Sequence, residues 1–220
     1  IREGQEINTF YMSKSAGIDP TTGEQLYWAY EKNADGSMKP GSEYVTNDAT
    51  VAASCKYLQG SRIPDIYGSI SSSLKFRGFD LGLLFTYSLG GKIYDSIYNA
   101  LMEPSFVGQT YHRNALRTWT APGQRTDVPR TTTTASTQIT DRYLIDASYF
   151  AVKNISLGYS LPKQLLGKVG IESLRVYLAA DSPWIFTHLK GMNPQASFTG
   201  STSYSYTPNR TFTLGVDLKF

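Results

Sequence analysis

Apolar and polar residues alternate along six stretches of this chain, and the last of them shows the pattern most completely. In the stretch from residue 211 to 220, every second position is apolar: Phe212, Leu214, Val216, Leu218 and Phe220. Because successive side chains of a β-strand point to opposite faces, this stretch predicts a strand with one apolar and one polar face. A soluble β-sandwich and a membrane β-barrel with a polar lumen can both accommodate such a strand.

Two further alternating stretches, Ile66–Phe76 and Phe79–Leu89, predict a β-hairpin. Only Arg77 and Gly78 separate them. A two-residue connection that contains glycine is typical of tight hairpin turns, in which the backbone φ angle becomes positive. The second stretch also has the roughly 9 to 11 residues that a tilted strand needs to cross a bilayer. Aromatic residues at its two ends fit the girdles of membrane barrels.

Three other stretches complete the set of six predicted strands. Tyr149–Leu161 changes the parity of its apolar positions near Lys153, which predicts a β-bulge. Leu174–Asp181 alternates throughout, and residues 7–12 alternate without a clear apolar face. Shorter patterns predict a strand within Gln25–Tyr30 and a helix within Ile93–Met102.

The connections between the six predicted strands alternate between long and short. Residues 19–64, 90–148 and 182–209 are long loops, whereas residues 77–78 and 162–170 are short turns. Outer-membrane barrels have short periplasmic turns and long extracellular loops, so a periplasmic C-terminus would place the three long loops outside the cell. Six strands are fewer than the roughly eight of small bacterial barrels, and an open edge in lipid leaves backbone groups unpaired. We therefore expect further strands from outside this chain.

Composition narrows the classes of function. Charged residues make up 18% of the chain, the net charge is +3, and no dense basic cluster occurs, so there is no electrostatic basis for nucleic-acid binding. No run of 18 apolar residues is present, which excludes a membrane helix but not a barrel strand. The single cysteine, Cys55, excludes an internal disulfide. The chain begins at Ile1 without a methionine, which we interpret as a processed chain or a fragment.

Several of these segments resemble one protein family in their amino-acid sequence and in their order along the chain. They are Phe76–Phe85 followed by Gly90–Tyr94, Tyr149–Pro162, Leu174–Trp184 and Pro208–Phe220. Together they resemble the C-terminal third of the SusC/RagA family of TonB-dependent outer-membrane transporters. One departure is visible, because the family commonly has Gly-x-Asp-Pro-Glu in its last loop and this chain has amides in place of both carboxylates, at Asn193 and Gln195.

The resemblance implies an all-β fold, in which the whole of residues 1–220 is the C-terminal portion of a barrel of 22 strands. The six predicted strands would then be its last six antiparallel strands, and the N-terminal plug and the other strands would lie outside this chain. The family resemblance further implies a nutrient importer in the outer membrane of a Bacteroidetes-type Gram-negative bacterium. Such an importer is energised through TonB, works with a SusD-like lipoprotein, and takes up oligosaccharides or oligopeptides.

Catalytic chemistry is not indicated. The two histidines, His112 and His188, lie in predicted loops without the spacing or the Cys and Asp companions of a metal or triad site. We therefore predict a protein that is not an enzyme. The alternatives are an outer-membrane barrel enzyme such as a lipase or protease, and a secreted soluble β-sandwich that binds a ligand.

One loop segment partly matches a calcium-binding loop. Glu31, Asn33 and Asp35 stand at positions 1, 3 and 5, and Gly36 stands at position 6. Position 12 is Ser42, where such loops need a bidentate acid, so an Asp-Gly turn is the alternative interpretation. We otherwise expect no cofactor.

Aromatic residues in the predicted loops are the candidate substrate-binding residues: Trp28, Tyr111, Trp119, Tyr204 and Tyr206. Their rings suit stacking on sugars or packing against peptide side chains, although they equally suit packing between loops. The terminal Phe220, preceded by alternating apolar residues, resembles an assembly signal for outer-membrane barrels. Deleting it is expected to lower outer-membrane assembly.

Overall fold

The computed structural model describes residues 3–102, 110–131, 138–166, 170–188, 193–195, 200–202 and 209–220. The chain divides into two compact units. One, the loop unit, takes Ile1–Arg62, Lys92–Ile145 and Ser197–Tyr204. The other, the strand unit, takes Ile63–Gly91, Asp146–Ala196 and Ser205–Phe220.

In chain order the strands are β1 (Thr9–Met12), β2 (Lys14–Ile18), β3 (Gln25–Ala29), β4 (Tyr44–Thr46), β5 (Tyr57–Ser61), β6 (Ile66–Phe76), β7 (Phe79–Leu89), β8 (Lys92–Tyr94), β9 (Leu144–Asp146), β10 (Tyr149–Ser160), β11 (Ser173–Thr187) and β12 (Thr211–Lys219). The α-helices are α1 (Ala49–Ser54), α2 (Ser96–Met102) and α3 (Lys163–Leu166), and two 3₁₀ turns cover Arg113–Arg117 and Asp141–Tyr143. Within the described ranges, the helices are too short or too polar for any of them to cross a membrane.

The strand unit is built on one antiparallel sheet with the strand order β12-β11-β10-β7-β6. Five of the six strands predicted from alternation therefore lie side by side. The hairpin between β6 and β7 is confirmed, with Arg77 at a φ of 46° and Gly78 at a φ of 88°. Two positive φ angles in a two-residue turn match the right-handed twist of the paired strands.

The predicted bulge in β10 is also confirmed. Pairing with β7 and with β11 shifts register between Val152 and Asn154. Phe150 and Val152 therefore share a face with Ile155 and the later odd-numbered residues. The neighbouring β11 continues to Thr187, beyond the predicted end at Asp181, because the chain passes an irregularity at Ser182, whose φ is 49°, and resumes pairing with β10.

The loop unit differs from the prediction at the first strand. Residues 7–12 were predicted to form a sixth strand of the same series, but β1 pairs with β5 in a separate two-stranded sheet. This strand is only four residues long and lacks a continuous apolar face that could extend the large sheet.

The segment predicted as one long loop, residues 19–64, contains regular structure. The expected short strand is present as β3, and it lies between β2 and β4 in a three-stranded sheet. Asp48 caps α1 by accepting hydrogen bonds from the backbone N–H groups of Thr50 and Val51. The helix predicted within Ile93–Met102 is confirmed as α2.

Two small clusters of buried side chains form the core of the loop unit. One contains Tyr94, Met102, Val128 and Tyr143. The other contains Ala29, Tyr30 and Cys55. The buried Cys55 thiol donates to the backbone oxygen of Tyr30 at 3.4 Å, so it packs as a small core residue.

Candidate functional site

One face of the five-stranded sheet, called here the apolar face, carries rows of apolar side chains that run across all five strands. Directly paired positions form one row of leucines: Leu74, Leu81, Leu157, Leu178 and Leu214. A second row joins aromatic and β-branched residues: Phe76, Phe79, Tyr159, Val176 and Val216. The alternation of each separate strand therefore adds up to a continuous apolar surface.

The apolar face is open in the described chain. Exposed fractions reach 59% for Leu74, 54% for Leu178 and 72% for Leu214. Covering a leucine fully with an apolar environment is worth about 1.5–3 kcal/mol, and monomeric soluble proteins rarely leave large contiguous apolar patches uncovered. This face therefore requires an apolar medium or partner.

The opposite face, called here the polar face, carries small and polar residues. Ser73, Gly82, Ser156, Ala179 and Thr213 form one cross-strand row. Sheets that alternate between apolar-out and polar-in side chains are typical of membrane barrels with a polar interior.

An ion network spans four strands of the polar face. Arg175 on β11 donates two hydrogen bonds to Asp80 on β7, from Nε at 3.0 Å and from Nη2 at 2.6 Å. Its Nη1 donates to Asp217 on β12 at 3.0 Å. The guanidinium reaches Asp80 across the intervening β10, and paired hydrogen bonds of this kind fix both distance and orientation.

Gly158 on β10 makes that crossing possible. A Cβ atom at this position would lie 2.5 Å from Asp80 Oδ1 and 2.6 Å from Arg175 Nη2. The network therefore depends on a residue without a side chain. The alternation within each strand puts Asp80, Arg175 and Asp217 on polar faces, but it does not connect them, because their meeting depends on strand order and register.

The predicted substrate-binding residue Trp119 packs within the loop unit. Its indole N–H donates to the backbone oxygen of Pro20 at 2.9 Å, and its ring covers Gly23. Its backbone N–H donates to the oxygen of Val128 at 3.1 Å. Trp119 is half-buried, and its role in substrate binding stays a prediction.

Trp28 also packs against protein, with the ammonium of Lys14 at 5.4 Å from its ring centre. The same ammonium lies 5.5 Å from the ring of Tyr57, so one lysine bridges two aromatic side chains. Tyr111 is half-buried, and Tyr204 and Tyr206 lie outside the described residues. The structure thus does not gather the five predicted aromatics into one described cluster.

The calcium candidate forms a short turn in which its side chains already have partners. Glu31 pairs with Lys39 at 2.8 Å, which lowers the pKa of the Glu31 carboxyl. Asn33 donates to Ser37 Oγ at 2.9 Å, and Asp35 accepts from the backbone N–H of Ser37 at 2.9 Å. Across the residues that the structure describes, no group of three His, Cys, Asp or Glu side chains is arranged to hold a metal ion. Calcium binding here stays a prediction, which a calcium titration of the whole protein would decide.

The remaining predicted positions lie at surfaces. His112 caps a 3₁₀ turn by accepting from the N–H of Asn114 at 3.1 Å, and its ring meets the edge of Tyr98. Phe220 extends the apolar series of β12 and is highly exposed. Its role as an assembly signal stays a prediction.

Comparisons with known proteins agree on one group of relatives. No family model matches the chain. A TonB-dependent receptor P3 of Formosa agariphila is 29% identical over all of this chain and 23% of its own length. The TonB-dependent receptor SusC of Bacteroides thetaiotaomicron is 25% identical over 88% of this chain and 19% of its own length.

Solved structures give the same result at the level of the fold. A structure of the RagAB peptide transporter matches 96% of this chain with a TM-score of 0.81 and 28% identity, over 23% of the transporter chain. A RagAB peptide importer in an open-open state matches all of the chain with a TM-score of 0.78 and 27% identity. The chain thus spans about a quarter or less of the length of the relatives that it matches.

Proposed function

We propose that this chain, which is similar to TonB-dependent receptors including SusC and has the fold of part of a β-barrel, belongs to the SusC/RagA family and forms part of the wall of an outer-membrane importer. The observation that carries this proposal is the apolar face, which is continuous over five paired strands and open in the described chain. In a membrane this face meets lipid, and the polar face lines the interior. The short turns then lie on the periplasmic side and the long connections outside the cell.

We also propose the parts that complete this importer. Further strands and a plug would close the barrel, TonB would supply the energy, and a SusD-like lipoprotein would assist capture of the substrate. The names of two solved relatives support a peptide cargo, since they describe RagAB as a peptide transporter and a peptide importer. The proposed cargo is accordingly an oligopeptide or an oligosaccharide, and the loop aromatics Trp28, Tyr111, Trp119, Tyr204 and Tyr206 are the proposed contacts.

Uptake by cells with and without the gene tests this function. Deletion is expected to abolish accumulation of a fluorescent oligopeptide or oligosaccharide from a mixed library, and the intact gene is expected to restore it. The full protein should also fractionate with outer membranes and require detergent for extraction. A full-length protein that is released without detergent, or a deletion strain with unchanged uptake of both classes, would contradict the proposal.

A further inference from the structure

Arg77 occupies a backbone conformation that its side chain does not favour. At a φ of 46° it lies in the left-handed region, at the first central position of the β6–β7 turn. Asparagine, aspartate or glycine adopts this position with less strain, and Asn-Gly is the usual pair in such turns. Residues held in strained conformations concentrate at functional sites, so the reason for an arginine here must be sought in its side chain.

The Arg77 side chain is held against an aromatic ring and leaves its donors open. Its guanidinium carbon lies 5.2 Å from the centre of the Phe76 ring. Within the part of the chain that is described, the ion pairs involve other arginines and lysines, and Arg77 joins none of them. Stacking fixes a guanidinium plane while its N–H groups remain free to donate, which suits a phosphate.

The turn lies at the end of the sheet where aromatic residues border the apolar face. A second basic residue, Lys163, follows the end of the strand to which the turn is bonded. Phe76 and Phe79 are exposed on the apolar face, and the ring of Phe79 lies 4.5 Å from that of Tyr159. The backbone N–H of Ser160 donates to the oxygen of Gly78 at 2.8 Å, which ties the turn to the end of β10. Lys163 follows three residues later and is exposed.

Charges at this edge favour an anion. The nearby carboxylate of Asp80 is engaged by Arg175 on the polar face, and Glu172 pairs with Lys219 at 2.8 Å. Arg77 is therefore an exposed basic group beside the exposed ring of Phe76, and Lys163 is a second exposed basic group, three residues beyond the Ser160 that is bonded to the turn. A cation above an apolar band is the arrangement that meets the headgroup layer of a bilayer.

We propose that Arg77, assisted by Lys163, binds the phosphate of a glycerophospholipid whose acyl chains lie along the apolar face. This inference rests on the proposed function, because it requires the apolar face to meet lipid. The aromatic row with Phe76 and Phe79 provides the boundary between acyl chains and headgroup. Binding of the phosphate then accounts for an arginine in the turn, despite its unfavourable backbone conformation.

Native mass spectrometry of the full transporter in detergent, titrated with dioleoyl phosphatidylglycerol, tests this site. Arg77→Asn relieves the strained turn while it removes the cation, so a loss of lipid cannot be ascribed to a damaged fold. We expect a fall in retained lipid of about fivefold for Arg77→Asn, which corresponds to about 1 kcal/mol per basic residue near an anionic membrane surface. Lys163→Gln should give a smaller fall in the same direction.

Two comparisons make the result specific. Lys75→Gln removes the same charge from the polar face of the same strand end and should leave lipid retention unchanged. Dioleoylglycerol, which lacks the phosphate, should not be retained by the wild type. Equal retention by the wild type and Arg77→Asn, equal retention of dioleoylglycerol, or displacement of the lipid by millimolar inorganic phosphate would overturn the proposal.

Failure of the proposed function would look different. In that case the wild type itself would be absent from the outer membrane or would not import substrate. If Arg77→Asn retains import and outer-membrane location, as we expect, then its lipid retention reports on the site alone.

Discussion

At the scale of single residues, the polar face depends on a glycine as much as on its charged groups. Gly158 leaves the space through which Arg175 reaches Asp80, although the two residues lie on strands that are not neighbours. The three side chains can meet only when β7, β10, β11 and β12 have their native register. The contact therefore forms only in the native strand register, because a one-residue slip would turn the partners to opposite faces.

Gly158→Ala is expected to break this network and to lower the stability of the folded barrel. Its Cβ would displace the carboxylate and the guanidinium from each other. Because Asp80→Asn removes the same contact, the double variant should be little less stable than Asp80→Asn alone. Urea unfolding of the full protein in lipid vesicles, followed by its heat-sensitive migration in gels, measures each variant.

Ser156→Ala is the matched control for that experiment. It lies two residues earlier on β10, on the same polar face, and it is not part of the ion network. It should leave the unfolding midpoint nearly unchanged. Additive effects of Gly158→Ala and Asp80→Asn would show that the glycine matters for some reason other than the crossing.

At the scale of the strand, alternation determines which residues meet which medium. Leu214 belongs to the row of leucines on the apolar face, and its neighbour Thr213 belongs to the polar face. Both residues are exposed in the described chain, so exposure alone does not distinguish them. Only the medium that each residue meets distinguishes the two.

Leu214→Lys is therefore expected to destabilise the barrel far more than Thr213→Lys. A lysine on the lipid side costs about 2–4 kcal/mol near the middle of the bilayer and about 0–1 kcal/mol near its surfaces. On the polar side a lysine stays hydrated. Reversible unfolding in vesicles compares the two variants, and equal losses of stability would contradict the assignment of the two faces.

The strands of the large sheet were predictable because period-two alternation is a local signal. Pattern alone located both ends of β6 and β7 and the bulge in β10. The first strand was assigned wrongly to the large sheet, because partner choice depends on residues far away in the sequence, in this case β5. The extension of β11 past Asp181 was missed since Ser182 and Pro183 interrupt the pattern, while pairing with β10 continues beyond them.

The candidate site was less predictable than the fold. Loop aromatics were recognised by type, but Trp119 contacts Pro20 and Gly23, from which it is separated by about a hundred residues of chain. Nothing local in the sequence predicts such a contact. The Arg175 network was not predicted for the same reason, since each of its members is an ordinary polar-face residue within its own strand.

At the scale of the whole molecule, the two units differ in which side chains they bury and which they expose. The strand unit has an open apolar face, whereas the loop unit buries two small cores of its own and carries exposed polar turns. That contrast matches a membrane wall and its connections to water. It also makes the orientation of the chain in the membrane measurable, because a turn of each kind can be labelled separately.

Single cysteines at Ala34 and Gln164 are expected to react from opposite sides of the outer membrane. Ala34 is exposed in the turn of the loop unit, and Gln164 is exposed in α3 between β10 and β11. A maleimide too large for porins should label Ala34→Cys on intact cells, and Gln164→Cys only after the outer membrane is permeabilised. The natural Cys55 is 2% exposed and should add little background, which a Cys55→Ala chain checks. Labelling of Gln164→Cys on intact cells, with Ala34→Cys protected, would reverse the proposed orientation and place the Arg77 turn in the outer leaflet.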